Sequence, residues 1–124
     1  MISVLNSGRI FAYAKPCDMR KGYEGLGQIV REELGFDIID GDLFVFTNRS
    51  LNRAKVLLFD GTGLCVFMKR LDKGRFPALW KRTDMQSVEL SKSELFLFLE
   101  GSKILEKKGV SPPEISKEEL DIFA

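Results

Sequence analysis

The sequence predicts an α+β domain: a mostly antiparallel sheet of about five strands, with two main helices packed on one face. Three observations carry this. Short apolar stretches recur between Gly, Pro, Asn and Asp residues, as strands do. Two segments repeat apolar residues at three- and four-residue spacing, as helices do. An Asp-Gly turn joins two of the strands into a hairpin.

The elements follow in order. Residues 9–14 read as a strand that alternates Ile10, Ala12 and Ala14 with Phe11 and Tyr13, and Pro16 ends it because proline cannot donate to a ladder. Asp18 reads as the N-cap of a helix over about 19–34. Met19, Tyr23, Leu26, Val30 and Leu34 form its stripe, and Gly35 sits where a left-handed C-cap belongs. Residues 43–47 form a second strand and 47–52 a polar loop. Strands at 53–59 and 64–70 are joined through Asp60-Gly61-Thr62-Gly63. Both are apolar at their centres on both faces, which predicts central positions and asks for cover on each side. A homodimer is one way to supply it. Phe67 reads as a core residue, while Phe76 and Trp80 stay open between core packing and stacking on unpaired bases. A basic loop covers 71–84, a strand 85–90 and a helix 91–100, whose start carries a capping box in Ser91 and Glu94 and a staple in Leu90 and Leu95. The domain is placed at 1–101. Residues 102–124 read as a linker with Pro112-Pro113, then a short helix opened by Ser116 and Glu119.

Composition bounds the function. The chain has 124 residues, 44% apolar and 30% charged, enough for one core without disulfide staples. Two cysteines and no histidine remove Ser-His-Asp and Cys-His catalysis and the common structural zinc modules. The cysteines, Cys17 and Cys65, read as reduced thiols. No apolar run spans a membrane, Arg9 interrupts any export-signal pattern, and a cytoplasmic protein is expected. There is no Walker A loop, and Gly22-x-x-Gly25-x-Gly27 reverses the dinucleotide fingerprint, so no cofactor is expected.

The net charge of +1 conceals a segregation. Residues 1–48 carry −2, residues 49–82 carry +7 and residues 83–124 carry −4. Such asymmetry points to an anionic partner for the middle. Arg49, Arg53, Lys69, Arg70, Lys73, Arg75, Lys81 and Arg82 are the candidate nucleic-acid contacts there, interleaved with Phe67, Phe76 and Trp80. Arg20 and Lys21 are added because two cations in a helix's first turn oppose its dipole, and such a broken local rule marks candidate phosphate contacts. The competing reading is a set of solvated or internally paired charges. Asp60 ends an apolar strand, as a metal-binding Asp of a retroviral-integrase-like nuclease does. It also begins a hairpin turn, and no second or third acid accompanies it.

Three blocks in series carry a resemblance. They are Asp18-Met19-Arg20-Lys21-Gly22-Tyr23-Glu24-Gly25-Leu26, then Leu43 to Phe46 with Lys55 to Gly63, then Lys69-Arg70-Leu71-Asp72-Lys73-Gly74-Arg75-Phe76. In order and spacing they resemble the small accessory proteins of the insertion-sequence-66 family, known as TnpB and unrelated to the RNA-guided nuclease of that name. The resemblance runs from about Arg9 to Gly101. Phe59 stands where that family often has Trp, and residues 102–124 carry no recognisable motif. The resemblance implies a non-catalytic accessory factor for transposition, encoded beside a separate transposase that holds the catalytic acids. It assigns no residue roles. Two partner readings follow: DNA and transposase contact through residues 49–82, or a pure protein-interaction module that grips the transposase without DNA.

Overall fold

The computed structural model describes residues 8–101. The predicted C-terminal helix at Ser116 lies outside them. Five strands, β1 (Ile10–Pro16), β2 (Leu43–Thr47), β3 (Arg53–Phe59), β4 (Leu64–Arg70) and β5 (Ser87–Leu90), form one sheet in the order β4-β3-β2-β1-β5. Every neighbouring pair is antiparallel except β1 and β2, which run parallel. The α+β class therefore holds, with one parallel step inside it.

Parallel neighbours need a crossover. Helix α1 (Tyr23–Gln28), a π-helical turn (Ile29–Leu34) and a 3-10 turn (Ile38–Asp40) supply it. Gly35 closes the π-helical turn at φ 76°, the left-handed C-cap that its position predicts. The second helix, α2 (Lys92–Glu100), follows β5. Ser91 and Glu94 complete its predicted capping box, each side chain taking the other's backbone N–H.

The alternation along the strands divides the core in two. Ile10, Ala12, Leu43, Val45, Val56 and Leu58 pack with Phe76, Leu79 and, from α2, Leu95 and Phe98. Phe11, Tyr13, Phe44, Phe46 and Leu57 pack with Leu26, Ile29 and Val30 of the crossover. The two helices thus cover opposite faces of the sheet, which corrects the expectation that both lie on one face. The cause is visible in β1: its small residues face α2, its aromatic ones face α1, and both sets are too apolar to meet water.

Two further expectations change. The first helix starts at Tyr23, with Gly22 and not Asp18 as its N-cap. The Asp18 carboxylate instead accepts the Arg20 backbone N–H at 2.9 Å and grips the Arg20 side chain, closing a tight turn ahead of the helix. Arg20 and Lys21 therefore precede the helix, and the conflict with its dipole disappears. Secondly, β3 is interior but β4 is an edge strand, and its Phe67 is 50% exposed. The expectation of Phe67 in the core fails because no sixth strand or third helix covers the end of the sheet among the described residues. Phe76, left open by the sequence, is buried.

The open ends of β1 and β2 are locked together. Asp42, itself buried, accepts the Arg9 backbone N–H at 2.9 Å and the Arg9 guanidinium at 3.0 Å. The same guanidinium lies over the rings of Phe11 and Phe36. Gly8 is required beside it, since a Cβ there would meet the Gly41 carbonyl oxygen at 2.0 Å.

Candidate nucleic-acid interface

The basic middle of the chain converges on one end of the β3–β4 hairpin. Seven cations and a single acid, Asp72, fall within residues 48–55 and 68–76. The loop before β3 and the loop after β4 are joined: the Leu71 N–H donates to Asn52 O at 2.8 Å, and the Phe76 N–H to Leu51 O at 2.7 Å. This brings Arg49, Arg53, Arg70, Lys73 and Arg75 onto one exposed ridge, although twelve residues separate the two segments.

The ridge has a stiff base. Asn48 Oδ1 accepts the backbone N–H groups of Asn52 and Arg53, both at 3.0 Å, and Asn48 Nδ2 donates to Asn52 Oδ1 at 2.7 Å. The loop these bonds define holds Leu51 at φ 62°, a left-handed conformation that leucine rarely adopts. On the other side, Phe76 is 1% exposed and stacks on Phe98 of α2 at 5.7 Å. These contacts fix the backbone from which the charged side chains extend.

Arg53 and Arg70 are direct cross-strand partners. Like charges in that position repel and destabilise the pair of strands. Neither has an ion pair among the described residues, and the same is true of Arg49, Lys73, Arg75 and Lys81. Lys69 points to the other face and pairs with Glu100 of α2 at 3.4 Å.

The remaining sequence candidates are only partly gathered here. The Lys55 ammonium donates to Met19 O at 2.7 Å and Lys21 O at 2.8 Å, so β3 holds the Arg20–Lys21 segment beside the ridge. Arg20 is bound by Asp18 at 2.7 Å, which offsets its charge, and this pairing holds the Asp18 carboxyl down at about 2. Lys81 and Arg82 lie at the end of a 3-10 turn (Leu79–Lys81) that packs over β1, not beside β3 and β4. The sequence counts Lys55 among the basic residues of the segment but shows neither its role in holding residues 19–21 nor that of Asn48 in the loop; the Asn48–Asn52 pair in a polar loop was the available signal.

The candidate Asp60 is bound into its turn. Asp60 Oδ1 accepts the N–H groups of Thr62 and Gly63 and the Thr62 hydroxyl, at 3.0 to 3.1 Å. These donors hold its carboxyl down at about 2 and bind it to the turn. Among the described residues no three His, Cys, Asp or Glu side chains come together as a metal site. Cys17 is buried, and burial pushes its thiol up to about 11, so it is a poor nucleophile near neutrality. Cys17 and Cys65 are unpaired and pack on opposite faces of the sheet. No helix among the described residues is long and apolar enough to cross a membrane.

By class, then, this is a small α+β domain with one strongly basic ridge. Residues 8–109 match the family described as IS66 Orf2 like protein, TnpB of IS66, and the chain belongs to that family. It is similar to the uncharacterized protein y4hO of Sinorhizobium fredii (strain NBRC 101917 / NGR234), at 39% identity over 75% of this chain and 79% of the relative. It is also similar to the uncharacterized protein y4jC of the same strain, at 34% identity over 61% of this chain and 65% of the relative. No solved structure matches it. Family membership links the protein to transposition of IS66 elements.

Proposed function

We propose that this protein is a non-catalytic accessory factor for transposition that holds the phosphate backbone of DNA along the 48–55 and 68–76 ridge. The observation that carries the reading is the Arg53–Arg70 pair: two arginines directly opposite each other across the hairpin, without a carboxylate partner among the described residues. A polyanion relieves that repulsion and releases counterions as it binds. Arg49, Lys73 and Arg75 extend the track, with Lys21 adjoining it. Lys69, Lys81 and Arg82 are peripheral, and Arg20 contributes less because Asp18 already holds it.

Backbone contact is favoured over stacking on unpaired bases. Phe76 is buried and Trp80 is partly buried, which leaves Phe67 as the exposed aromatic of the segment. The second reading, a module that grips acidic residues of the transposase without DNA, is favoured by exposed Phe67 and Met68 beside the cations, since protein interfaces combine apolar and basic residues.

Binding of labelled duplex to the full chain across a salt series tests the proposal. The expected result is log-linear loss of affinity with salt, and loss of binding in Arg53→Glu/Arg70→Glu. Absence of binding at low salt, together with capture of the transposase, would establish the second reading instead.

A further inference from the structure

The edge of the sheet carries a second surface. Strand β4 has seven residues and, among the described residues, only β3 beside it. Leu64, Phe67 and Met68 are 39%, 50% and 61% exposed. An apolar edge of this length is a template for another strand.

The direction of its free hydrogen-bonding groups can be derived. The Asp60 N–H donates to Gly63 O and the Leu71 N–H to Asn52 O, and both bonds lie in the β3–β4 register. Alternation along an antiparallel ladder then turns Cys65, Phe67 and Lys69 toward β3, and the backbone groups of Leu64, Val66, Met68 and Arg70 outward. Side chains alternate as well. Val66 and Met68 lie opposite Leu57 and Lys55, on the α1 face, while Phe67 lies opposite Val56, on the α2 face.

From this geometry we propose that β4 pairs antiparallel with β4 of a second copy, about a two-fold axis through Phe67, making one ten-stranded sheet. The register places Met68 opposite Val66 of the second copy and Arg70 opposite its Leu64, so the outward backbone groups meet one another. The two Phe67 rings meet on the α2 face. Charge supports an antiparallel second copy over a parallel one. A parallel pairing would bring Arg70 against Arg70. The antiparallel one delivers Arg70 to Leu64, which lines a groove of about 710 Å³ with Tyr23, Glu24, Gln28, Arg31 and Asp37.

The test uses the full chain and does not depend on DNA. Sedimentation at roughly 100 µM, a concentration that populates even a modest interface, is expected to give about twice the 14.1 kDa chain mass. Phe67 and its copy form a non-hydrogen-bonded pair, whose Cα atoms lie at about 4.5 Å, within disulfide range. Phe67→Cys in a Cys65→Ser background is therefore expected to oxidise to a covalent dimer, whereas Phe96→Cys, exposed on α2, is not. A monomer at that concentration would overturn the proposal and leave the edge to an extended segment of another protein. A dimer that does not cross-link through position 67 would overturn it equally.

Discussion

Arg53 faces Arg70 across the β3–β4 ladder, like charge against like charge, with no described carboxylate beside either. A pair of this kind costs stability, on the order of a few tenths of a kcal/mol. Replacing one member should therefore separate folding from binding. Arg70→Glu creates an opposite-charge pair, and its thermal midpoint is expected to equal or slightly exceed that of the parent. Its DNA affinity should fall. Arg70→Gln should reduce the slope of log affinity against log salt by about 1, the value for one lost phosphate contact. Calorimetry and the salt series on the same preparations check both. A variant that loses stability and keeps its affinity would remove this pair from the binding surface.

Phe76 tests whether the aromatic residues of the basic segment are structural or functional. It is buried and stacked on Phe98, although it sits between cations in the sequence. Phe76→Ala is expected to cost about 3–5 kcal/mol in urea unfolding, as large core truncations do. Phe76→Leu should cost much less and leave DNA affinity unchanged. Loss of affinity in a stably folded Phe76→Leu would mean that the ring contacts the ligand.

The contrast between Phe67 and Phe76 shows how far the sequence could be read. Local chemistry was legible: the Asp60 turn, the Ser91–Glu94 box and the Gly35 cap form as their residue types require. Strand neighbours were not. Strands β3 and β4 look equally apolar, and only the non-local pairing of β2 with β3 makes one interior and the other an edge. The opposite placement of the two helices depends likewise on the parallel β1–β2 step, which residues 43–47 do not announce. Asp18 misled because Asp suits a cap and a tight turn equally, and a pairing with Arg20 decided between them. Of the site, the clustered cations were visible in the charge count. The hydrogen bonds that join residues 51 and 52 to 71 and 76 were not, because they span the hairpin.

Asn48 is the residue on which the ridge geometry depends. Its side chain makes three hydrogen bonds, to Asn52 N, Arg53 N and Asn52 Oδ1. Asn48→Ala leaves those groups without their partner and is expected to cost about 1–3 kcal/mol. DNA affinity should fall as well, since Arg49 and Arg53 lose their fixed backbone. Asn48→Asp retains the acceptor and should recover most of the stability. If affinity follows net charge alone, the Asp variant will bind worse than the Ala variant. If it follows loop geometry, the order reverses, and one titration of both variants decides.

Asp60 gives a prediction in pH. Its carboxyl is held at about 2, against an ordinary value of 3.8, first by the backbone N–H groups of Thr62 and Gly63 and then by the Thr62 hydroxyl. The folded protein therefore favours the ionised form more strongly than the unfolded chain does. The stabilisation is complete above about pH 4 and is lost as pH falls through about 2. In Asp60→Asn the side chain no longer titrates, and its amide can still accept from the turn, but without the charge that strengthens those bonds. The parent should melt higher than Asp60→Asn near pH 6, and the gap should narrow as pH falls from 4 to 2. Thermal melts of both proteins across that range measure it. A gap that stays constant would show that the turn draws nothing from the ionised carboxylate.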